Sequence, residues 1–404
     1  MSTRIRRALM DTDRRPPKRD SRLRVAFVLP TLEVGGLQRA IVTIAHHLDR
    51  DRAQMDVIAL RRPTQASTVM YEELERVGVP VHDLGVMGRA EREPRALASA
   101  VAKLHRLFAV GRYDIVDSAV LEADVASRLA AMRLAVRHVT HLINLTHDPR
   151  AMHGARTRQP WRPTAARWVD RLSGHLTVRF VAITHAVARS AQRTLGIPAK
   201  KLVVVERGVD AQRFRLQPTS QGPVLRVLCV GRLEPQKDHA TAVRTIAELR
   251  RRGVECTLTI AGRGPLQFEL KRSVAEHGLE DRVSIIEPVA NVQDLYGAHD
   301  VLLFPSRWEG LGNAAIEAMA SGRPVIATDL DVLHEVLGPL GRFAPGGNAH
   351  KFSDQLALVA DMTLEQRTTL AHALRQRAIE RFDPAETTHR LLQVYEDIGR
   401  SGAQ

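Results

Sequence analysis

The sequence predicts an α/β protein of two Rossmann-like, doubly wound domains facing each other across a cleft. Three observations predict this. Short apolar runs alternate with longer amphipathic stretches almost throughout, the pattern of parallel strands joined by crossover helices. The pattern breaks over residues 211–223, AQRFRLQPTSQGP, which are polar with two prolines and no periodicity, and then restarts. The length of 404 residues suits two domains of ordinary size.

The first 24 residues hold nine Arg/Lys against three Asp and have no apolar centre. Residues 1–21 therefore read as a disordered basic arm and not as a secretory signal. The first domain is expected over 22–210. Its first strand is the β-branched-rich run Leu23 to Leu29, after which Gly35-Gly36 opens a helix from Leu37 to Leu48. Further strands are expected at Met55–Leu60, Asp114–Asp117, Arg137–Ile143, Arg179–Ile183 and Leu202–Val205. Helices fall between them near Ala96–Val110, Ala123–Leu134, Ala165–Gly174 and Ala186–Leu195.

After the linker at 211–223, the second domain is expected over 224–382. It runs strand Val224–Val230, helix His239–Arg251, strand Cys256–Ala261, helix Leu266–Glu276 and strand Val283–Ile286. A strand from Asp300 to Phe304, a helix from Asn313 to Ala320 and a strand Val325–Ala327 complete it. Residues 383–404 carry a terminal helix, Pro384 to Ile398, with Leu391, Leu392 and Tyr395 on one face. The first domain is one place for it to dock.

Composition narrows the function. Hydrophobic content of 44% with 26% charged residues is that of a globular protein, and no run of 18 apolar residues offers a membrane span. Cys229 and Cys256 sit in apolar strand patterns and read as buried thiols in a reducing cytoplasm. The net charge of +14 fits an anionic partner or a peripheral position on the inner membrane face; arginine standing in for lysine fits it equally. Nucleic acid is not expected, because only 4% of residues are aromatic and no nucleic-acid-binding signature occurs. Arginines cluster around Trp161 and Trp168. Trp168 is expected in the core and Trp161 at a membrane interface; the alternative is a helix that packs both tryptophans in the core with its arginines in water.

Three loops carry chemistry, each at the end of a strand. In residues 304–329, FPSRWEGLGNAAIEAMASGRPVIATD, the carboxylates Glu309 and Glu317 flank Gly310, Leu311, Gly312 and Asn313 at the start of a helix. Carboxylates suit sugar hydroxyls, and the helix amides suit phosphate. In Gly231-Arg232-Leu233-Glu234-Pro235-Gln236-Lys237, an arginine and a lysine follow a glycine at a strand end. Beside the acidic loop they read as a diphosphate grip. Gly262-Arg263-Gly264-Pro265 ends the next strand and walls the same pocket. In the first domain, Gly35-Gly36 can hold a phosphate or a reacting sugar, but G-x-G-x-x-G is not satisfied, which counts against a dehydrogenase. Asp329-Leu330-Asp331 spells D-x-D but reads as a turn.

On these residues, with Gly208-Val209-Asp210 and the G-G-x-x-R of Gly35–Arg39, the chain resembles the family-4 retaining glycosyltransferases of group 1, which have the GT-B fold. The resemblance runs from about Leu23 to Tyr395. It implies a hexosyltransferase moving sugar from a nucleoside-diphosphate sugar to a hydroxyl of a glycan or lipid-linked acceptor, in cell-surface polysaccharide or glycolipid synthesis. Arg232 and Lys237 would bind the leaving diphosphate, and Glu309 would face the donor sugar. Glu317 would accept from the ribose, and Gly35, Gly36 and Gly264 would border the donor. With Arg232 and Lys237 on the leaving group, no metal or other cofactor is expected. Two departures stand out. The family's D-I-V-H-x-H is here Asp114-Ile115-Val116-Asp117-Ser118-Ala119, without either histidine, so His147 and Glu122 become candidates on the acceptor side. Arg207 stands where an asparagine commonly precedes the glycine. Two alternatives keep the fold: a nucleotide-sugar epimerase or hydrolase, and a nonenzymatic nucleotide-sugar binder.

Overall fold

The computed structural model describes residues 22–33, 35–64, 67–86, 94–148, 161–218, 222–289 and 291–400. The basic arm and the Trp161 side chain lie outside the described residues. The first sheet comprises β1 (Leu23–Leu29), β2 (Ala53–Ala59), β3 (Val81–Asp83), β4 (Ile115–Ala119), β5 (Arg137–Leu142), β6 (Arg179–Ala182) and β7 (Leu202–Val204). All are parallel, in the order β3-β2-β1-β4-β5-β6-β7. Helices α1 (Gly36–His47), α2 (Thr68–Arg76), α3 (Pro94–Gly111), α4 (Leu121–Ala131), α5 (Trp161–Ser173) and α6 (His185–Leu195) connect and cover it. The β1 sequence LRVAFVL is an unbroken apolar run after Arg24, as a strand covered on both faces requires.

The second sheet comprises β8 (Leu225–Val230), β9 (Cys256–Ala261), β10 (Val283–Ile286), β11 (Val301–Phe304), β12 (Val325–Thr328) and β13 (Arg342–Ala344). It is parallel in the order β10-β9-β8-β11-β12-β13. Helices α7 (His239–Arg251), α8 (Gln267–Glu276), α9 (Val292–Ala298), α10 (Asn313–Ala320), α11 (Asp331–Leu337), α12 (Ala349–Ala360) and α13 (Leu364–Arg381) accompany it. In both sheets the order reverses beside the first strand, between β1 and β4 and between β8 and β11. Ligands of open α/β sheets bind outside the carboxyl ends of the strands at such a reversal. The loops after Leu29 and Ala119, and after Val230 and Phe304, therefore bound the site.

The terminal helix α14 (Pro384–Arg400) returns to the first domain. Its Leu391, Tyr395 and Ile398 pack with Val25, Ile115, Val139 and Val181, and Leu392 joins Phe27 and Ile41. Arg52 clasps Glu396 with two hydrogen bonds of 2.8 Å. The domains also share one apolar cluster, which runs from Ile183 and Val187 to Phe304, Leu311 and Leu333. Polar links seal it: His185 donates its backbone N–H to Glu335 at 2.9 Å, and Arg381 grips Glu206 at 2.6 Å.

Several elements are absent from the sequence reading. Strands β3 and β13 are three residues long, too short to show a period. The buried stripe of α13 is Arg367, Ala371, Leu374 and Ala378, in which a charge and two small side chains mute the apolar signal. Asp329-Leu330-Asp331 is a strand-to-helix junction, with Asp331 opening α11 and Asp329 bound to His334 at 2.6 Å. Trp168 is half-exposed on α5 and not in the core, because its helix turns that face away from the sheet.

Truncating Leu392 removes a buried side chain that ties α14 to the first sheet. Leu392→Ala is expected to lower the unfolding free energy by about 3 kcal/mol, read as the shift of a urea unfolding midpoint.

Candidate active site

A cavity of about 480 Å³ lies between the two carboxyl edges. On the second-domain side the turn after β8 is stitched to the loop after β11. Lys237 Nζ meets Glu309 Oε1 at 2.5 Å and sits 4.9 Å from the centre of the Phe304 ring. The Gln236 side chain donates to the Trp308 carbonyl at 2.9 Å, and the Arg307 backbone N–H donates to the Gln236 carbonyl at 2.8 Å. Arg232 also lines the cavity, half in solvent and paired with Glu234 at 2.7 Å. This cross-stitching sets one cation beside the carboxylate and leaves a second at the mouth.

The α10 N-terminus forms the floor. Gly312 precedes it with φ 88°, a left-handed conformation that a side chain would strain. Gly310 is required for another reason: a β-carbon there would stand 2.3 Å from the Ile143 carbonyl oxygen across the cleft. The Thr184 hydroxyl donates to the Gly310 carbonyl at 3.1 Å. Glu317, one helical turn further on, is half-buried at the back and accepts from the Tyr296 hydroxyl at 2.8 Å. Burial holds its carboxyl above the usual range, although Tyr296 and the Arg39 charge oppose this. The first domain contributes Gly35, Gly36 and Arg39; a β-carbon on Gly36 would lie 2.8 Å from the Asn313 amide nitrogen.

The site thus combines cations and helix amides for an anion with carboxylates for hydroxyls. Two family profiles match the chain: one described as glycosyl transferases group 1 over residues 225–361, and one as glycosyltransferase family 4 over residues 34–213. The chain belongs to glycosyltransferase family 4. An alpha-D-kanosaminyltransferase of Streptomyces kanamyceticus is 23% identical, covering 71% of this chain and 74% of the relative. A phosphatidyl-myo-inositol mannosyltransferase of Mycobacterium leprae is 25% identical, covering 95% and 99%. The crystal structure of HepE from Anabaena in complex with UDP-glucose superposes with a TM-score of 0.74 at 20% identity, covering 93% of this chain and all of HepE. That likeness is one of GT-B fold.

The glycosyltransferase brings Gly35, Gly36, Arg232, Lys237, Glu309, Gly310, Leu311, Gly312, Asn313 and Glu317 together around this cavity. Gly264 is not among its lining residues. It is packed under the Leu233 backbone, and its neighbours Gly262 and Arg263 form the wall instead. Glu122 lies apart, bound to Arg61 at 2.6 Å.

His147 lines a smaller adjoining cavity of about 220 Å³, which shares Ile143 and Asn144 with the main one. Its Nε2 bonds to Asp170 at 2.9 Å, and Asp170 also takes the Arg128 guanidinium at 2.7 Å. Burial would raise Asp170, but these hydrogen bonds hold it below the usual carboxylate range.

A second histidine, unmarked in the sequence reading, lines the same space. His141 stands opposite Ala119 in the β4–β5 register, one strand away from the missing family histidine. Its Nδ1 meets Asp117 at 3.0 Å, and Asp117 accepts the Tyr395 hydroxyl of α14 at 2.5 Å. Its Nε2 has no partner among the described residues. Val120, between these strands, holds φ 78°, a strained conformation for a β-branched side chain. The signal that could have found His141 is its place at the end of the next strand. Asp124, in the same cavity, accepts the Ser118 hydroxyl at 2.6 Å and is pushed up to about 7 by burial; Asp170 and Asp117 add to this and Arg128 opposes it.

The raised Asp124 carboxyl makes stability depend on pH. The native state holds its proton more tightly than the unfolded chain, where the carboxyl titrates near about 3.9. Its contribution is whole below about pH 4 and is lost as pH rises to 7. Between pH 5 and 8 the loss should be about 3 kcal/mol, and Asp124→Asn should remove it. Urea midpoints of both proteins at the two pH values check this.

Proposed function

We propose that the protein transfers a hexose from a nucleoside-diphosphate sugar to a hydroxyl of a glycan or lipid-linked acceptor, with retention at the anomeric carbon. The observation that carries this reading is the Lys237–Glu309 pair at the α10 N-terminus, with Arg232 across the same turn. As the bond from the anomeric carbon to the diphosphate oxygen breaks, negative charge grows on the leaving group. Lys237, Arg232 and the amides of Gly312 and Asn313 are aimed at that charge, the largest single lever on such a barrier. Glu309, fixed by Lys237, orients the sugar hydroxyls. Glu317 offers Oε1 to the ribose, since Oε2 already accepts from Tyr296. The acceptor oxygen bonds the anomeric carbon on the face that the phosphate leaves, and its proton passes to the departing phosphate oxygen. No protein base and no metal ion is then required.

The mannosyltransferase among the relatives is named for an inositol lipid, and HepE was crystallised with UDP-glucose; both support this donor and acceptor chemistry. We further infer that a membrane surface presents the acceptor. Among the described residues no helix is long and apolar enough to cross a membrane. Helix α5, however, exposes Trp168 (50%), Val169 and Leu172 (65%) beside Arg167 and Arg171, the composition of a helix lying in an interface.

A melting-temperature screen against UDP, GDP and ADP should single out one base, because a ligand of the native state raises its apparent stability. Arg232→Ala should weaken that diphosphate by about 1.5–3 kcal/mol, the scale of a charged hydrogen bond. Glu309→Ala should cut transfer at least about 100-fold with the fold intact. Wild-type transfer by Glu309→Ala, or loss of transfer on adding EDTA, would sink the mechanism. Binding to vesicles containing anionic lipid should fall as salt rises and fall further in Trp168→Ser/Leu172→Ser. Equal vesicle binding by that variant would end the membrane reading.

A further inference from the structure

The cleft contains a cation that the donor does not account for. Arg207 follows β7 on the segment where the chain crosses between domains, and its side chain lines the main cavity. Its backbone is fixed from both sides. Glu206 before it is gripped by Arg381, Gly208 after it lies against Pro384, and the Val209 N–H donates to the Phe382 carbonyl at 2.9 Å. The guanidinium itself makes no hydrogen bond or ion pair among the described residues, and its Nη2 is enclosed without an acceptor.

Other partly or fully buried arginines differ. Arg323 donates to the Tyr296 and Pro218 carbonyls, Arg375 to those of Phe214 and Ala320, and Arg128 to Asp170. On the second-domain wall of the cleft, Arg232, Lys237 and Arg263 each have a carboxylate partner. Enclosing an unpaired guanidinium is costly unless an anion completes it. Burial lowers the Arg207 pKa to about 10.

We infer that Arg207 is the anchor of a second anion site, on the first-domain wall, which receives a phosphate or carboxylate carried by the acceptor. The planar guanidinium can bind either group through two parallel hydrogen bonds. The site deepens the transfer reading by naming a class of acceptor, an anionic one, and rests on that reading for the word acceptor alone. Two charges of a diphosphate are already met by Arg232, Lys237 and a helix N-terminus across the cleft, so the additional cation answers an additional anion.

The test titrates inorganic phosphate by calorimetry into the full-length protein and into Arg207→Asn, Arg207→Lys and Arg232→Ala. Each titration is run with and without the saturating nucleoside diphosphate that raises the melting temperature most. Phosphate is expected to bind the nucleotide-saturated wild type, at least tenfold more weakly in Arg207→Asn, with partial recovery in Arg207→Lys and no change in Arg232→Ala. Glucuronate in place of phosphate tells a carboxylate from a phosphate by which binds more tightly. A cooperative thermal unfolding transition without ligand certifies that each variant is folded. Phosphate displaced by nucleotide assigns Arg207 to the donor and overturns the inference, as does equal phosphate binding by Arg207→Asn. If no nucleotide binds, the transfer reading fails, while the comparison of Arg207→Asn with Arg232→Ala still decides the anion site.

Discussion

The contact between Gly310 and the Ile143–Asn144 backbone is the constraint on which the rest of the site depends. Two sheets meet here at their carboxyl edges with no room for a β-carbon, and the Thr184 hydroxyl fastens the contact at the Gly310 carbonyl. Because the backbones touch, the α10 N-terminus faces the Gly35–Gly36 turn at the distance of one side chain, and the main cavity takes its depth from that spacing. The neighbouring residues follow from it. Glu309 is held beside Lys237, and Ile143 and Asn144 become a wall common to both cavities.

Charge is arranged differently on the two walls. The second-domain wall is balanced locally, with Lys237 on Glu309, Arg232 on Glu234 and Arg263 on Glu287, so a ligand entering there competes for cations that already have partners. Such a wall stays folded when empty and yields readily to a stronger anion. The first-domain wall carries Arg207 without a partner among the described residues, and its smaller cavity is lined by histidines held by buried carboxylates. Part of the net charge of +14 therefore lies in the cleft and not on the open surface.

The second-domain side of the cleft was legible in the sequence because it is local. Glu309 to Glu317 lie within one loop and one helix, and Arg232 to Lys237 within one turn, so residue type and spacing carry their geometry. The first-domain side was not. Asp117, His141 and Tyr395 come from two strands and a distant helix, and only the β4–β5 register and the return of α14 bring them together. Gly264 lies behind the cavity wall, which the sequence did not show, because a glycine that packs against a backbone and a glycine that lines a cavity look alike in a sequence. Most strands and long helices could be read from the alternation of apolar runs with amphipathic stretches. Of the three-residue edge strands, β7 could be read from its apolar run LVV, whereas β3 (VHD) and β13 (RFA), broken by polar or charged residues, could not.

The return of α14 has a consequence for how the chain comes to be folded. Residues 225–400 hold the whole second sheet and end on the first domain, so the second domain is in effect inserted before the last element of the first. During synthesis the N-terminal sheet leaves the ribosome early, yet the face that takes Leu391, Tyr395 and Ile398 stays uncovered, and Asp117 has no tyrosine partner, until residues 384–400 have been made. The later-made domain can close its own core first. The earlier-made one waits, with an apolar surface that must be kept from other chains over the translation of some two hundred residues, roughly ten to forty seconds at ordinary elongation rates.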